Sequence, residues 1–96
     1  MEELELCCRR VWLTDDGQGG RRDFVLEVFA PEPDGADARC QVAVDGERMR
    51  VYGVDSWQAV TLALRFLRIQ VEDLERRGLK LYWQDGTPAT AADLDL

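Results

Sequence analysis

The sequence predicts an α+β fold: an antiparallel four- to five-stranded sheet in the order β-β-β-β-α-β, with one long helix packed on one face. Three observations predict it. Up to Tyr52 the apolar side chains recur with period two, and from Asp55 to Arg77 they recur with period 3.6. Segments rich in Gly, Pro and Asp separate these stretches.

The first strand runs from about Leu4 to Leu13, with Leu4, Leu6, Cys8 and Trp12 alternating and Arg10 interrupting that face. Asp15-Asp16-Gly17-Gln18-Gly19-Gly20 is a turn, because glycine permits positive φ and Asp hydrogen-bonds its own backbone. From Asp23 to Ala30, Phe24, Leu26 and Val28 share one face, and Val25, Glu27 and Phe29 the other. Pro31 and Pro33 cannot donate to a ladder, so Pro31–Asp37 is expected as a loop. The third strand follows from Ala38 to Val44. Asp45-Gly46 is a two-residue hairpin signal, and Glu47–Tyr52 is the fourth strand. Met49 and Val51 against Arg48, Arg50 and Tyr52 indicate a sheet with one face buried and one wet.

Asp55 is placed to cap the helix, with Gln58 where a capping box puts Glu or Gln and Ser56 as the rival cap. Gly78, after Arg76-Arg77, sits where a helix ends. Leu79-Lys80-Leu81-Tyr82-Trp83 is the fifth strand and Gln84–Pro88 a turn. The whole chain, 1–96, is read as one domain. Residues 89–96 either fray or tuck Leu94 and Leu96 against it.

On a helical wheel, Val60, Ala63, Leu64, Leu67, Val71 and Leu74 form the core stripe, and Thr61, Arg65, Arg68, Glu72, Glu75 and Arg76 the wet face. Leu62, Phe66 and Ile69, with Ala59 beside them, widen the apolar arc. Such an arc is covered by the tail, by a loop or by another chain. Trp12, Trp57 and Trp83 either finish the edges of a small core or line a groove or interface. The residues singled out for an interface are therefore Leu62, Phe66, Ile69, Trp57 and Trp83.

Composition narrows the chemistry. Twelve basic against 19 acidic residues give a net charge of −7, the wrong sign for a general nucleic-acid binder. There is no histidine, which removes the usual neutral-pH proton shuttle and the commonest metal ligand. Three cysteines fall short of a zinc site and leave any nucleophilic thiol without a His base. Cys8 and Cys40 are expected as small buried hydrophobes. Ser56 is the only serine, no phosphate-cradling glycine motif precedes a helix, and the carboxylate pairs Asp15-Asp16 and Asp93/Asp95 fall in turns or tail. No catalytic, cofactor-binding or metal-binding residues are therefore assigned, and no cofactor is expected. The acidic start Met1-Glu2-Glu3 is unlike a secretory signal, and no apolar run reaches the ~18 residues of a membrane span. With an odd number of cysteines this points to the cytoplasm and to no membrane contact.

The stretch Val51–Leu64, VYGVDSWQAVTLAL, resembles the G-x-D-[SA]-x-Q-A-x-x-L-A-L run of a family of short, uncharacterised bacterial proteins. Arg9-Arg10-Val11, Pro31–Gly35, Cys40 and Leu81–Trp83 extend the resemblance over most of the chain. It implies a bacterial β-hairpin-plus-helix protein and supplies no catalytic residues.

These readings favour a non-enzymatic protein-interaction module, of which an inhibitor or immunity-type protein is one form, since an acidic surface steers onto basic partners. The alternatives are a homodimeric accessory protein that self-associates through Leu62, Phe66 and Ile69, and a small-molecule binder with a pocket near Tyr52, Trp57 and Trp83.

Overall fold

A computed structural model describes residues 4–96; the acidic Met1-Glu2-Glu3 start lies outside the described residues. The elements are β1 (Leu6–Asp15), β2 (Arg21–Phe29), β3 (Glu32–Asp34), β4 (Asp37–Val44), β5 (Glu47–Gly53), α1 (Ser56–Arg76), β6 (Leu81–Tyr82), β7 (Pro88–Ala89) and a 3-10 turn at Ala91–Leu94. The fold is α+β, as the two periodicities predict. All strands join one antiparallel sheet, in the order β5-β4-β2-β1-β6-β7. β3 pairs with the first residues of β4, beyond the end of the β2 ladder.

Two parts of the sheet differ from expectation. Pro31–Asp37 is not all loop. Glu32–Asp34 pairs with Asp37–Arg39, and Pro33, opposite Ala38, is tolerated because this short strand lies at the sheet margin. The fifth strand shrinks to Leu81–Tyr82, since β6 pairs with β1 only at Leu13 and Thr14. The buried Thr14 hydroxyl donates to the Lys80 carbonyl at 2.8 Å, which pins β6 there.

The β4–β5 hairpin forms as Asp-Gly dictates. Asp45 and Gly46 both take positive φ, 52° and 89°, and Val44 pairs directly with Glu47. The helix caps follow the sequence as well. The Asp55 carboxylate accepts from the Gln58 N–H at 2.8 Å, while Gln58 Oε1 accepts from the Val54 N–H at 2.8 Å. The reciprocal capping pair is thus completed one residue earlier than in the standard box. At the other end the Leu79 N–H reaches the Leu74 carbonyl and the Gly78 N–H reaches Glu75, a Schellman motif with Gly78 at φ 105°.

The helix lies across β4 and β5. Its buried line is Ala59, Ala63, Leu67 and Val71. Ala59 is therefore central to the core, not part of a spare sector, and Phe66 also packs against the core. Two alanines in this line bring the helix axis close to the sheet, and the contact is tightest at Gly53. A Cβ there would stand 2.4 Å from the Ala59 amide nitrogen. Gly53 is needed for space, and its φ lies outside the left-handed region.

The other sheet face is not uniformly wet. Phe29, Ala43 and Gln41 are buried on it. The Arg48 guanidinium covers the Phe29 ring at 5.0 Å, and Gln41 donates to Glu32. Arg9 and Glu27 pair across β1 and β2 at 2.7 Å.

Asp55→Ala removes the cap and lowers stability by about 1 kcal/mol. Gly53→Ala forces a backbone shift and costs about 2 kcal/mol. Urea unfolding followed by circular dichroism ranks the two; equal midpoints for Gly53→Ala and wild type would show that the close approach is absent.

Candidate functional site

Since α1 covers β4 and β5, the β1 end of the same sheet face needs another cover. The C-terminal segment provides it. Ala89 and Ala91 are buried, the Glu75 carboxylate accepts from the Ala91 N–H at 3.1 Å, and Arg68 donates to the Leu96 carbonyl. The 3-10 turn is closed by the Asp93 carboxylate, which accepts from the Thr90 N–H at 2.8 Å.

Arg10 is the polar centre of this region. It sits on the helix-side face of β1, opposite Leu26, where the alternation calls for an apolar residue. Its guanidinium lies 5.2 Å from the Trp12 ring centroid and 4.9 Å from that of Trp83. The two indoles meet edge to face at 5.7 Å. Arg10 donates to the Asp93 carbonyl at 3.1 Å, and no described carboxylate pairs with it. Cation–π contact with two indoles offsets part of the cost of holding this charge away from water. Trp12 is fully buried, and its Nε1 has no hydrogen-bond partner among the described residues.

Next to Arg10 the helix and the tail fail to meet. They leave a cavity of about 260 Å³ over β1 and β2. Leu26 and Val28 form its floor, Leu64 and Leu67 its helix wall, and Leu94 and Leu96 its tail wall, while Cys8 and Arg10 complete the β1 side. Cys8 is exposed, contrary to expectation. It shares the inner face with Val28, its neighbour in register, but neither helix nor tail covers that end of the strand.

The Cys8 and Cys40 thiols are both shifted toward the protonated form. Burial pushes the Cys40 thiol up from 9.0 to about 11, and it donates to the Phe29 carbonyl at 3.3 Å. Desolvation first, and adjacent Cys7 second, raise Cys8. A raised pKa means less thiolate and a poorer nucleophile. No group of three or more Cys, Asp or Glu that could hold a metal occurs among the described residues.

The five residues singled out for an interface do not form one surface. Trp83 is half-buried in the Trp12–Arg10 cluster, and Phe66 packs on the core. Leu62 is half-buried and Ile69 is 56% exposed. Trp57 is 80% exposed, but it lies roughly 120° or more around the helix from Leu62, Phe66 and Ile69. Instead it stands where β5 runs into α1, a connection in which Val54 is 66% and Tyr52 51% exposed. β5 pairs only with β4, so its outer edge is open there. Arg48 and Arg50 alternate with Tyr52 along it, and neither has a carboxylate partner among the described residues. Arg21 and Arg22 do not join them in a basic patch. Arg21 lies over the Tyr82 ring at 3.6 Å, and Arg22 pairs with Asp45 at 2.9 Å.

A family model described as a domain of unknown function, DUF6968, matches residues 8–92. The chain belongs to that family. No curated protein and no solved structure matches. The DUF6968 match begins inside β1 and ends inside the 3-10 turn, so it includes β2 through β7 and the helix whole. Among the described residues, no helix is long and apolar enough to cross a membrane.

The Cys40 thiol gives a pH test with a definite sign. In the unfolded chain it ionises near 9.0, and in the fold near 11, so the unfolded state loses its proton first. This contribution to stability is complete below pH 9.0 and fades as the pH rises to about 11. The difference in unfolding free energy between wild type and Cys40→Ala, measured by denaturant titration from pH 7 to 11, narrows over that window. A constant difference refutes the assignment.

Proposed function

We propose that this DUF6968 chain is a non-enzymatic protein-interaction module, with its contact surface at the β5–α1 corner. The observation behind the proposal is Trp57, four-fifths exposed in the first turn of a well-capped helix. A small domain gains stability by burying its tryptophans, and Trp12 and Trp83 do pack inward here. Leaving the third in solvent, a few residues along the chain from exposed Tyr52 and Val54, supplies the aromatic anchor typical of an interface centre. The open edge of β5 adds a row of backbone donors and acceptors that an extended segment of a partner can pair with.

An inhibitor or immunity-type role is one specific form of this reading, supported by small size and the −7 net charge. The local charge at the corner is different. Arg50, two residues before Tyr52 on the same face of β5, favours an acidic contact there, and charged side chains on an edge strand also discourage indiscriminate edge pairing. Self-association through Leu62, Phe66 and Ile69 draws less support, since Phe66 is engaged with the core.

The test compares affinity capture by wild-type, Trp57→Ala and Ile69→Ala baits, together with light scattering of each. A partner held through the corner is lost, by about tenfold or more in affinity, with Trp57→Ala. It is kept by Ile69→Ala, and the melting temperatures barely move because both side chains are largely in solvent. Undiminished capture by Trp57→Ala, or a wild-type dimer broken only by Ile69→Ala, overturns the corner as the contact surface.

A further inference from the structure

The cavity beside Arg10 is independent of the β5–α1 corner and shares no residue with it. We infer that it binds an aliphatic monocarboxylate of about eight carbons, with the chain among the leucines and the carboxylate on the Arg10 guanidinium.

Four observations converge on this ligand. The wall is apolar on three sides, with β2, helix and tail each giving two aliphatic side chains, so it favours a hydrocarbon over water. The volume is about 260 Å³. An apolar cavity of ~150 Å³ takes a benzene ring, so this one takes roughly ten non-hydrogen atoms, the size of octanoate. Arg10 in the wall is a half-buried cation with no described carboxylate partner. Its one hydrogen bond, to the Asp93 carbonyl, leaves most of the fork's N–H groups free to donate. Finally, Trp12 and Trp83 hold the guanidinium in place before any ligand arrives, their ring centroids 5.2 and 4.9 Å from its carbon. A held fork loses little freedom on pairing with a planar carboxylate.

The charge arithmetic selects a monoanion. Arg9, the other arginine beside the cavity, is engaged with Glu27 at 2.7 Å. That leaves one cation at the cavity mouth of a chain with net charge −7, which disfavours dianions such as phosphate monoesters. The half-open cavity has no room for a two-chain lipid.

Sodium octanoate, below its micellar concentration, is titrated into the full chain and followed by two-dimensional amide NMR. Octanol serves as the uncharged probe of the same length. Saturable shifts are expected at Leu26, Val28, Leu64 and Trp83. Octanoate binds about tenfold or more tightly than octanol, as a charge-assisted hydrogen bond to Arg10 implies. Arg10→Gln removes that preference and leaves octanol binding in place. Leu64→Trp fills the cavity from the helix side and abolishes binding of both probes while the spectrum stays dispersed, so the inference remains testable even if Arg10→Gln fails to fold. Trp57→Ala leaves octanoate binding unchanged, which separates this site from the interaction surface. Equal affinity for the two probes on wild type, no saturable shift, or undiminished binding by folded Leu64→Trp overturns the inference.

Discussion

The width of one helix governs how this domain is built. An α-helix with its side chains is about 10 Å across, and strands lie about 4.8 Å apart, so one helix covers roughly two strands. Here it covers β4 and β5, and does so closely because Gly53, Ala59 and Ala63 carry little or no side chain at the contact. The β2–β1 half of the inner face must be sealed by something else. The chain uses a mixed seal of buried Trp12, the edge-to-face Trp83, the Arg10 cation between them and the Asp93 carbonyl that fixes it. The cavity is the gap where the two covers do not meet.

This division of labour explains the placement of the aromatic residues. Trp12 and Trp83 belong to the seal and supply large apolar area where no helix is present. Trp57 belongs to neither cover. It occupies the helix start, outside the line Ala59–Ala63–Leu67–Val71 and at the end of an open strand edge. The same argument accounts for Cys8, whose inward-facing side is bare because helix and tail both stop short of it.

Local chemistry was largely readable from the sequence. Asp45-Gly46 specified its turn, Asp55 and Gln58 their caps, Gly78 the helix end, and the alternation in β2 the face that became the core. What could not be read was lateral. The wheel put the stripe on Val60, Ala63, Leu64, Leu67, Val71 and Leu74 and set Ala59 and Phe66 beside it; Ala63, Leu67 and Val71 are buried, Val60, Leu64 and Leu74 pack against the core, and Ala59 and Phe66 join them. The buried line is turned toward Ala59, which sets the small Ala59 and Ala63 directly against the sheet. β3 was hidden by Pro31 before it and Pro33 within it, since Pro33 is compatible with a marginal three-residue strand. Arg10 was visible as an interruption in an apolar face. Its partners, Trp83 and Asp93, are distant in sequence, and no periodicity reports a contact of that range.

That range has a kinetic meaning. Arg10 and Asp93 are 83 positions apart, and Thr14 and Lys80 are 66 apart, whereas the β1–β2 and β4–β5 hairpins close over short loops. Contacts that close long loops cost more chain entropy and form after the local ones. The hairpins and helix can therefore assemble as a half-covered sheet, with the carboxyl-terminal segment docking last over the two indoles. By the same ordering that segment is the first to lift when the native state breathes. Opening of that segment therefore uncovers the two indoles and the cavity while the hairpins and helix stay paired.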